Sequence, residues 1–387
     1  MLCAIVIFAL VHLSLAVSPP CQPGITKKPW GDVYNTVLKR REPVFEYTLK
    51  NCLHTSVKII SYGASISSIV TPDAFNRLDD IVLGFDDING YRNPENAFLG
   101  ATIGRVANRI AKGKFNLTSN GQQKVFNLDK NDGQNTLHGG FNSFGRVVWQ
   151  ECTNKEENSV TLCYSSPHGD GGFPGEVQAS VRYTLNDSNA LIIEYKATVL
   201  KEATPISMTN HAYFNLAGHN AGATELHRHM VKINANSYTP VNNESIPTGV
   251  IADVMKTEFD LRQWTTLADA LNNTAEDGYD INFAVSCSAS TLLKGPCLAA
   301  EVFHPETRRL FSVWTTQPGL QFYTANSLNA RGKNKVLYDR HSAFCLEAQQ
   351  FPDAPNHPQF PNTIIRPGES YSATTIYKFD LGRLKDC

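Results

Sequence analysis

Short runs of alternating hydrophobic and polar residues fill most of the chain from Val44 onward. Examples are VFEYTLKN (44–51), VQASVRYTLN (177–186) and ALIIEYKATV (190–199), which are rich in Val, Ile, Tyr, Phe and Thr. Side chains alternate between the two faces of a strand, and the Gly, Asn, Asp and Pro residues between the runs favour turns. The best helical candidate is TTLADALNN (265–273), about two turns long. The pattern predicts an all-β fold, a large antiparallel sandwich or barrel that forms one domain over residues 44–387.

The first residues of the chain have a different character. MLCAIVIFALVHLSLAVSPPC starts with an apolar run of about 15 residues, too short for a membrane span. Ser14 and Ala16 then occupy the small-residue positions that a signal peptidase prefers. We interpret residues 1–16 as a signal peptide cleaved after Ala16, although it has no Lys or Arg, and residues 17–43 as an extended N-terminal arm. The mature protein is therefore expected to be secreted.

The cysteines and glycosylation sequons agree with export. Loss of Cys3 with the leader leaves an even number of cysteines, as oxidising compartments favour. If KEEN (155–158) forms the turn of a hairpin, residues whose numbers sum to 315 face each other, which predicts a Cys152–Cys163 disulfide. Cys287 and Cys297 flank a candidate surface loop and form a second predicted pair. The pattern does not pair the remaining cysteines, which are Cys21, Cys52, Cys345 and Cys387. Candidate glycosylation sites, expected on surface loops, are Asn116, Asn186, Asn243 and Asn272.

Charge and motifs exclude several classes of function. The formal net charge is -1 and no basic block occurs, which argues against nucleic acid or an acidic membrane as a partner. The sequence has no phosphate-binding or dinucleotide-binding glycine motif, no H-E-x-x-H and no G-x-S-x-G. HRH (227–229) is more typical of surface histidines than of a metal site, and HGDGGFPG (168–175) of an ordinary glycine-rich turn. We expect no metal and no cofactor.

SMTNHAYFNLAGH (207–219) is the polar exception among the strand-like runs. In a strand, Thr209, His211 and Tyr213 would share one face, which places an imidazole beside a phenol. A solvent-exposed face is the simpler interpretation of a lone histidine, so the other polar clusters must decide.

Those clusters lie at the ends of predicted strands. They are Asn108 and Arg109 in GRVANRI (104–110), His138 in NTLHGGFNSFG (135–145), Asp280 in EDGYDINF (276–283), Gln317 and Gln321 in TTQPGLQFYT (315–324), and Glu347 in HSAFCLEAQQFPD (341–353). Two glycines after His138 would let the backbone approach a ligand closely. Alternation places Glu347 on the face of Ala343 and Cys345, whose small side chains would leave room in front of the carboxylate. Taken singly, each residue could equally be a surface ion pair, a turn residue, a cap or a solvated strand end.

Taken together, the segments resemble the aldose 1-epimerases, or galactose mutarotases. SMTNHAYFNL is similar to that family's signature, and GRVANRI, LHGG, GYDINF, QPGLQFYT and FCLEAQQFPDAPNHPQFP follow as its other landmarks in the same order. The resemblance covers roughly residues 44–380 and implies a β-supersandwich with an open sugar-binding cleft. It also implies that His211 is the general acid and Glu347 the general base. The sugar-binding positions that it implies are Asn108, Arg109, His138, Asp280 and Gln321.

Anomer interconversion explains why such groups are needed. Opening the sugar ring removes a proton from the C1 hydroxyl and protonates the ring oxygen, which one base and one acid can do without metal or redox cofactor. An aromatic side chain such as Tyr213 could supply an apolar face for the sugar ring. We expect Glu347 to raise the pKa of His211, so that His211 governs the alkaline limb of a bell-shaped pH profile.

Three functions remain open from the sequence. The favoured one is a secreted aldose 1-epimerase that interconverts the α and β anomers of aldohexoses such as galactose and glucose. A catalytically weak, lectin-like sugar-binding protein of the same fold is the alternative. A glycoside hydrolase usually needs two carboxylates facing one bond, and the strong motifs supply only Glu347 and Asp280. We expect an aldohexose as the small-molecule partner, and a monomer or weak homodimer. Related epimerases are usually cytoplasmic, so the leader puts the physiological role in question more than the chemistry.

Overall fold

The structure is a computed structural model that describes residues 21–35, 39–93, 97–119, 122–152, 158–274 and 278–382. The predicted signal peptide and Cys387 lie outside the described residues. Over the described ranges, no helix is long and apolar enough to cross a membrane.

Strands form most of the first half of the chain. They are β1 (Gly24–Asn35), β2 (Arg40–Lys50), β3 (Ser56–Ile60), β4 (Ser65–Pro72), β5 (Leu78–Asp80), β6 (Thr102–Ile103), β7 (Arg109–Ile110), β8 (Lys114–Ser119), β9 (Gln122–Asn127), β10 (Thr136–Leu137), β11 (Gln150–Glu151), β12 (Ser159–Ser166), β13 (Glu176–Leu185) and β14 (Ala190–Leu200). Helix α1 (Ile88–Arg92) begins after Asp87, whose carboxylate caps it by accepting the backbone N–H groups of Asn89 and Gly90.

The second half contains further strands and three short helices. The strands are β15 (Thr204–Pro205), β16 (Thr209–Asn210), β17 (Met230–Ile233), β18 (Ala235–Thr239), β19 (Ala252–Asp253), β20 (Thr265–Thr266), β21 (Asp280–Val285), β22 (Cys297–Phe303), β23 (Arg309–Thr315), β24 (Gly319–Tyr323), β25 (Ala330–Arg331), β26 (Leu337–Tyr338), β27 (Cys345–Gln349), β28 (Ile364–Ile365) and β29 (Ser370–Leu381). The helices are α2 (Gly222–Leu226), α3 (Leu267–Asn273) and α4 (Ala289–Leu292). Single 3₁₀ turns occur at Ala111–Gly113, Phe144–Arg146, Asp170–Gly172, Lys333–Lys335 and Ala354–Asn356.

Three antiparallel sheets organise these strands. The largest has nine strands in the order β11-β12-β13-β14-β29-β23-β22-β17-β20. A second sheet is the meander β1-β2-β3-β4-β5, and a third has the order β19-β18-β21-β24-β27. Short two-stranded ladders, among them β6–β16 and β7–β10, connect the segments between the sheets. The predicted all-β antiparallel sandwich is therefore confirmed.

The inner faces of all three sheets meet in one hydrophobic core. Burial along β13 alternates residue by residue, as a strand with one face on the core requires. The core contains Ile59 of β3, Val181 of β13, Leu320 of β24 and Leu346 of β27, all essentially inaccessible to water. Each such side chain contributes roughly 1.5–3 kcal/mol relative to an exposed one. The core therefore fixes β24 and β27, whose other residues reach the cleft described below.

Two segments differ in detail from the strand interpretation. In 207–219 only Thr209–Asn210 is strand, paired with Thr102–Ile103 of β6. Within the region interpreted as an arm, Gly24–Asn35 forms β1 and pairs with β2 along its whole length. The helix predicted in 265–273 is present as α3, capped by the Thr266 hydroxyl, which accepts the N–H of Asp269.

Cysteine pairs lie at both predicted positions. The Cα atoms of Cys152 and Cys163 are 5.7 Å apart, and those of Cys287 and Cys297 are 6.1 Å apart, each within bonding range. The predicted hairpin register is wrong, because Gln150 faces Cys163 and paired residues therefore sum to 313. Cys152 instead bonds the backbone of Thr161, so this pair joins diagonal positions. Cys21 and Cys52 form a further pair, whereas Cys345 is a buried free thiol.

The four asparagines of the predicted glycosylation sites are exposed or half-buried. Asn243 is an exposed turn residue, and Asn186 is half-buried in the turn between β13 and β14. Asn116 lies in β8 and Asn272 in α3, so these two exposed side chains are on regular elements rather than on the expected loops.

Candidate active site

An open cleft of about 840 Å³ lies where the third sheet meets the β6–β10 segments. This volume falls within the range of ordinary small-molecule sites, roughly 300–1,000 Å³. Most of the polar residues singled out from the sequence line it, namely Asn108, Arg109, His138, His211, Tyr213, Asp280 and Glu347. The structure thus brings together residues that are up to 239 positions apart in the chain.

His211 and Glu347 form a buried acid–base pair in this cleft. His211 Nε2 and Glu347 Oε1 are 3.6 Å apart, and both side chains are almost fully buried. Glu347 Oε2 has no hydrogen-bond partner among the described residues and is therefore able to accept a proton or a ligand hydroxyl. The backbone of His211 is fixed on both sides, since its N–H donates to Ala101 O and its carbonyl accepts from Gly100 N–H.

Burial opposes charge on both members of the pair. It lowers the pKa of His211 to about 4. The pKa of Glu347 is raised well above its usual range, first by burial and then by the nearby Asp280 carboxylate, with Arg109 acting in the opposite direction. The expectation of a raised His211 pKa is therefore wrong, because loss of hydration on burial exceeds the raising effect of a hydrogen bond to the residue's own backbone.

His138 is held as a neutral hydrogen-bond donor. Its Nδ1 accepts the backbone N–H of Asn108 at 3.2 Å, and its own backbone N–H donates to Asn108 O. Burial, together with His211 and two arginines, lowers the pKa of His138 well below 6.5. A neutral ring whose Nδ1 is an acceptor carries its proton on Nε2. His138 therefore offers an N–H group and cannot readily serve as a base.

The hydrogen bond from the Asn108 N–H to His138 Nδ1 also affects whether the site could bind a metal ion. His138, His211 and Glu347 each have a potential ligand atom within 4.8 Å of the others, the donor set of a two-histidine, one-carboxylate site. Yet Nδ1 of His138 is engaged by Asn108 and Nε2 carries the proton, so neither nitrogen has a free lone pair. This arrangement suits a hydroxyl ligand better than a cation.

A charged network supports the opposite wall of the cleft. Arg109 Nε donates to Asp132 Oδ2 at 2.8 Å, and Arg109 Nη1 lies 3.9 Å from Asp280 Oδ2. Asp280 Oδ1 accepts a hydrogen bond from Gln321 Nε2 at 2.7 Å. Gln321 in turn is the cross-strand partner of Glu347 in the β24–β27 ladder. The network thus connects the arginine of β7 to the buried carboxyl of β27.

Comparison with known proteins agrees with this geometry. The family model described as aldose 1-epimerase matches residues 46–378. The chain is similar to the galactose mutarotase of Rattus norvegicus, at 43% identity over 84% of this chain and 91% of the relative. It is also similar to the aldose 1-epimerase of Escherichia coli K12, at 36% identity over 87% of this chain and 96% of the relative.

Solved structures show the same fold. An aldose epimerase homologue from C. elegans superposes with a TM-score of 0.78 at 29% identity, over 86% of this chain and 98% of its own. Galactose 1-epimerase from Lactobacillus acidophilus also superposes at 0.78, with 25% identity, over 94% of this chain and all of its own. The chain belongs to the aldose 1-epimerase family.

Not every candidate residue of this aldose 1-epimerase directly lines the cleft. Gln321 is buried behind Asp280, and its described contact is with that carboxylate rather than with the open space. Tyr213 lines the cleft, but its ring stacks on His211 with centroids 5.0 Å apart, and its hydroxyl donates to Ala97 O. We therefore infer that Gln321 orients Asp280, whereas a role of Tyr213 as an apolar platform for the sugar ring stays a prediction.

Two further sequence interpretations need correction. Gly139, with φ +88°, approaches the backbone of Gly104 so closely that a Cβ would clash with the Gly104 carbonyl, so its close contact is with the fold, whereas Gly140 lines the cleft. In HRH (227–229), His227 is exposed, but His229 is fully buried and accepts the N–H of Leu216. His229 is therefore a structural residue of the interior and not a surface histidine.

Residues that the sequence analysis did not assign to the site also shape it. Asp132 holds Arg109, and the Cys345 thiol lies 3.6 Å from His211 Nδ1. Phe98 meets His138 edge-on at 5.1 Å, and the Arg146 guanidinium lies over the Phe98 ring, 4.4 Å from its centroid. Of these residues, only Cys345 could have been found from the sequence, because strand alternation places it on the same face as Glu347. Asp132 and Phe98 lie outside the named strands and Arg146 ends the 3₁₀ turn Phe144–Arg146, so strand alternation gave no signal for them.

Replacing Arg109 by Lys tests the network. Lysine cannot reproduce the forked contact to Asp132 and Asp280, so a bound sugar should be misplaced. We expect KM to rise and kcat to fall, together by about tenfold or more, in steady-state mutarotation assays.

Arg77→Lys provides the matched control, since Arg77 is exposed, pairs with the buried carboxylate of Asp73 and is not among the residues that line the cleft. Its kinetics should equal those of the wild type. Wild-type kinetics in Arg109→Lys as well would mean that Arg109 only forms ion pairs and does not position the substrate.

Proposed function

We propose that Glu347 and His211 are the acid–base pair with which this aldose 1-epimerase interconverts the α and β anomers of an aldohexose. The observation that carries the proposal is their 3.6 Å separation inside a cleft of sugar size. The C1 hydroxyl and the ring oxygen are both bonded to C1, so a base and an acid that act on them must lie close together. The distance between the two side chains meets that requirement.

The proposed steps use no group beyond the pair and the sugar. The Glu347 carboxylate takes the proton of the C1 hydroxyl while the His211 imidazolium protonates the ring oxygen, and the bond between C1 and the ring oxygen breaks. The resulting aldehyde rotates about its bond to C2. Its other face is then attacked by the new hydroxyl, which returns its proton to His211, while Glu347 returns the other proton to the aldehyde oxygen.

Burial acts on both forms of the pair. The lowered pKa of His211 and the raised pKa of Glu347 favour the neutral form before the sugar binds, with the shared proton on Glu347. The charged form that opens the ring is reached by moving that proton to His211, at a cost in hydration that contacts with the bound sugar must offset, and ring opening then restores two neutral groups.

The surrounding polar groups suit recognition of several hydroxyls at once. His138 contributes an N–H donor, Arg109 further donors, and Asp280 acceptor oxygens, all facing the same cleft. Such convergent donors and acceptors around an apolar rim are typical of small polar ligands. We propose galactose or glucose as substrates and a monomer or weak homodimer as the working form. The names of the similar proteins, galactose mutarotase and aldose 1-epimerase, support galactose and, more broadly, an aldose.

We further propose that the protein is exported after cleavage following Ala16. The leader-like sequence of residues 1–16 and three bonded cysteine pairs support this, because cytosolic proteins rarely keep disulfides. Three sequon asparagines, Asn116, Asn243 and Asn272, are exposed enough to carry a glycan.

The decisive test of the base is Glu347→Gln. The amide keeps the size of the side chain but cannot take a proton, so kcat should fall at least about a hundredfold while sugar binding persists. Polarimetry on freshly dissolved α-galactose and α-glucose measures the rate, and calorimetry measures binding. Glu46→Gln, which alters a buried carboxylate of β2 outside the cleft lining, should leave the rate unchanged.

Three results would contradict the proposal. Wild-type turnover in folded Glu347→Gln would remove Glu347 from the mechanism. A wild-type protein that binds sugar without accelerating mutarotation would be lectin-like. Release of reducing sugar from a β-galactoside would indicate a hydrolase.

The pH profile tests how the pair shares its proton. The active site holds one proton between His211 and Glu347, so wild-type kcat should follow a bell. Because the pKa of His211 is lowered to about 4, His211 is assigned to the acidic limb, where a second proton binds, and not to the alkaline limb expected from the sequence. The alkaline limb should lie where the last proton leaves.

His211→Asn changes this profile in a defined way. Only the Glu347 carboxyl then titrates, and it acts as a base only above its raised pKa. The residual rate, lower by about 10²–10⁴-fold, should rise through a single limb displaced to higher pH, with no alkaline limb. A variant that keeps the wild-type bell would show that the acid lies elsewhere.

Export is tested on protein expressed in a eukaryotic secretory host. The protein recovered from the medium should begin at Val17, carry N-linked glycan, and give disulfide-linked peptides for all three described pairs on non-reducing mapping. An intact leader on intracellular protein with reduced Cys152 and Cys163 would contradict the proposal.

A further inference from the structure

Two arginines line the cleft without taking part in the proposed acid–base chemistry. Arg92 ends helix α1, and Arg146 ends the 3₁₀ turn Phe144–Arg146. Both lower the pKa of the Tyr62 phenol by their charge, against the larger raising effect of burial, so both guanidinium groups lie near that phenol. Tyr62 lines the cleft as well. We call Tyr62, Arg92 and Arg146 the cationic corner of the cleft.

Packed elements hold the backbone of the cationic corner. Tyr62 forms an antiparallel bridge with Val148, two residues beyond Arg146, so the two segments are joined side by side. Arg92 directly follows Tyr91, which is buried in helix α1. Tyr62, Val148 and Tyr91 all belong to one hydrophobic cluster. Both arginines therefore extend from a fixed base toward the cleft.

The cationic corner carries positive charge in the described cleft. Arg146 is half-buried, and its guanidinium lies 4.4 Å from the centroid of the Phe98 ring. A ring face attracts a cation but leaves its charge in place. Arg92 is exposed and forms no ion pair with any residue that the structure describes. The carboxyl groups that line the described cleft are Asp280 and Glu347, which belong to the reacting end of the proposed site.

A chain of ring contacts connects the cationic corner to the proposed acid. The rings of His211 and His138 have centroids 5.2 Å apart, and those of His138 and Phe98 are 5.1 Å apart, with Arg146 over Phe98. In an aldohexose, the exocyclic carbon C6 lies two bonds beyond the ring oxygen, which His211 protonates in the proposed mechanism. A substituent on C6 therefore extends past His211 while C1 stays at Glu347.

We propose that Arg92 and Arg146 bind a negatively charged group on C6 of the sugar, so that the enzyme prefers hexuronates or 6-O-sulfated hexoses to their neutral parent sugars. The inference rests on the anomer interconversion proposed for Glu347 and His211. Guanidinium groups present planar sets of N–H donors to the oxygens of an anion, and such charge-assisted hydrogen bonds are stronger than bonds to a neutral hydroxyl.

The substrate preference of the wild-type protein is the first test. Exchange NMR between the two anomers gives kcat/KM for galacturonate, glucuronate and galactose 6-sulfate, and for the parents galactose and glucose, near neutral pH. We expect at least one anionic sugar to exceed its parent by about tenfold or more, and the carboxylate and sulfate compounds show which anion is recognised. The advantage should shrink as sodium chloride rises from about 0.01 M to about 1 M, whereas turnover of galactose should not change.

Variants of Arg92 supply the second test. Arg92→Gln removes one charge of the cationic corner and should lower kcat/KM for the preferred anionic sugar by about tenfold, with a much smaller effect on the neutral parent. Arg92→Lys keeps the charge but not the forked donors, and should recover part of the loss. Arg331→Gln is the matched control, because Arg331 is exposed and is not among the residues that line the cleft. It should match the wild type with every sugar.

The comparison between sugars separates this inference from the proposed function. Equal or higher kcat/KM for both parent sugars in the wild type would overturn the inference and leave the proposed mutarotation intact. An anionic preference that is unchanged in Arg92→Gln would also overturn it. A wild type that accelerates mutarotation of no sugar would refute the proposed function. In that case calorimetry with galacturonate and galactose decides the inference, which fails if galacturonate does not bind more tightly.

Discussion

One shared proton in a poorly hydrated site is the constraint on which the rest of the structure depends. A carboxyl and an imidazole lie 3.6 Å apart with little access to water, so the pair is more stable neutral than charged. The fold must hold both groups there against a loss of hydration that costs several kcal/mol per ion when they are charged. A site of this kind favours the neutral pair, in which the shared proton lies on Glu347 and not on His211.

The scaffold meets this constraint with rigid elements. Glu347 lies in the middle of β27, whose alternate residues Leu346 and Ala348 are part of the core. His211 follows the two-residue strand β16 and is tied by backbone bonds to Ala101 and Gly100. Side chains on packed strands are held more precisely than side chains on free loops, and acid–base chemistry depends on such precision.

The sequence predicted most of the strands, the helix at 265–273 and most of the residues that gather in the cleft, because alternation and motif order report directly on which side chains share a face. It missed β1, which lies in the segment interpreted as an arm. It did not predict the local roles of the cleft residues. The proton position on His138 depends on the backbone of Asn108, and the contact of Arg109 depends on Asp132 in an irregular loop. The shift of the His211 pKa was predicted in the wrong direction. The motifs suggested a nearby carboxylate, which would raise that pKa, but they gave no measure of how deeply the imidazole is buried. The Cys152 register was wrong by two residues because the turn was assumed rather than observed.

Strand β1 lies outside the region that the family model matches, yet it is part of the folded sheet. The match to the family begins at residue 46, within β2, yet β1 pairs with β2 over eleven residue pairs before and across that point. Trp30 of β1 packs on Tyr91 of α1, and Val33 forms part of the cleft wall. A protein trimmed to the matched region would expose the edge of β2 and open one side of the cleft. A domain boundary drawn from similarity alone would thus remove β1 from its sheet. Fragments for expression should retain β1 together with the Cys21–Cys52 disulfide, which joins the residues just before β1 to those just after β2.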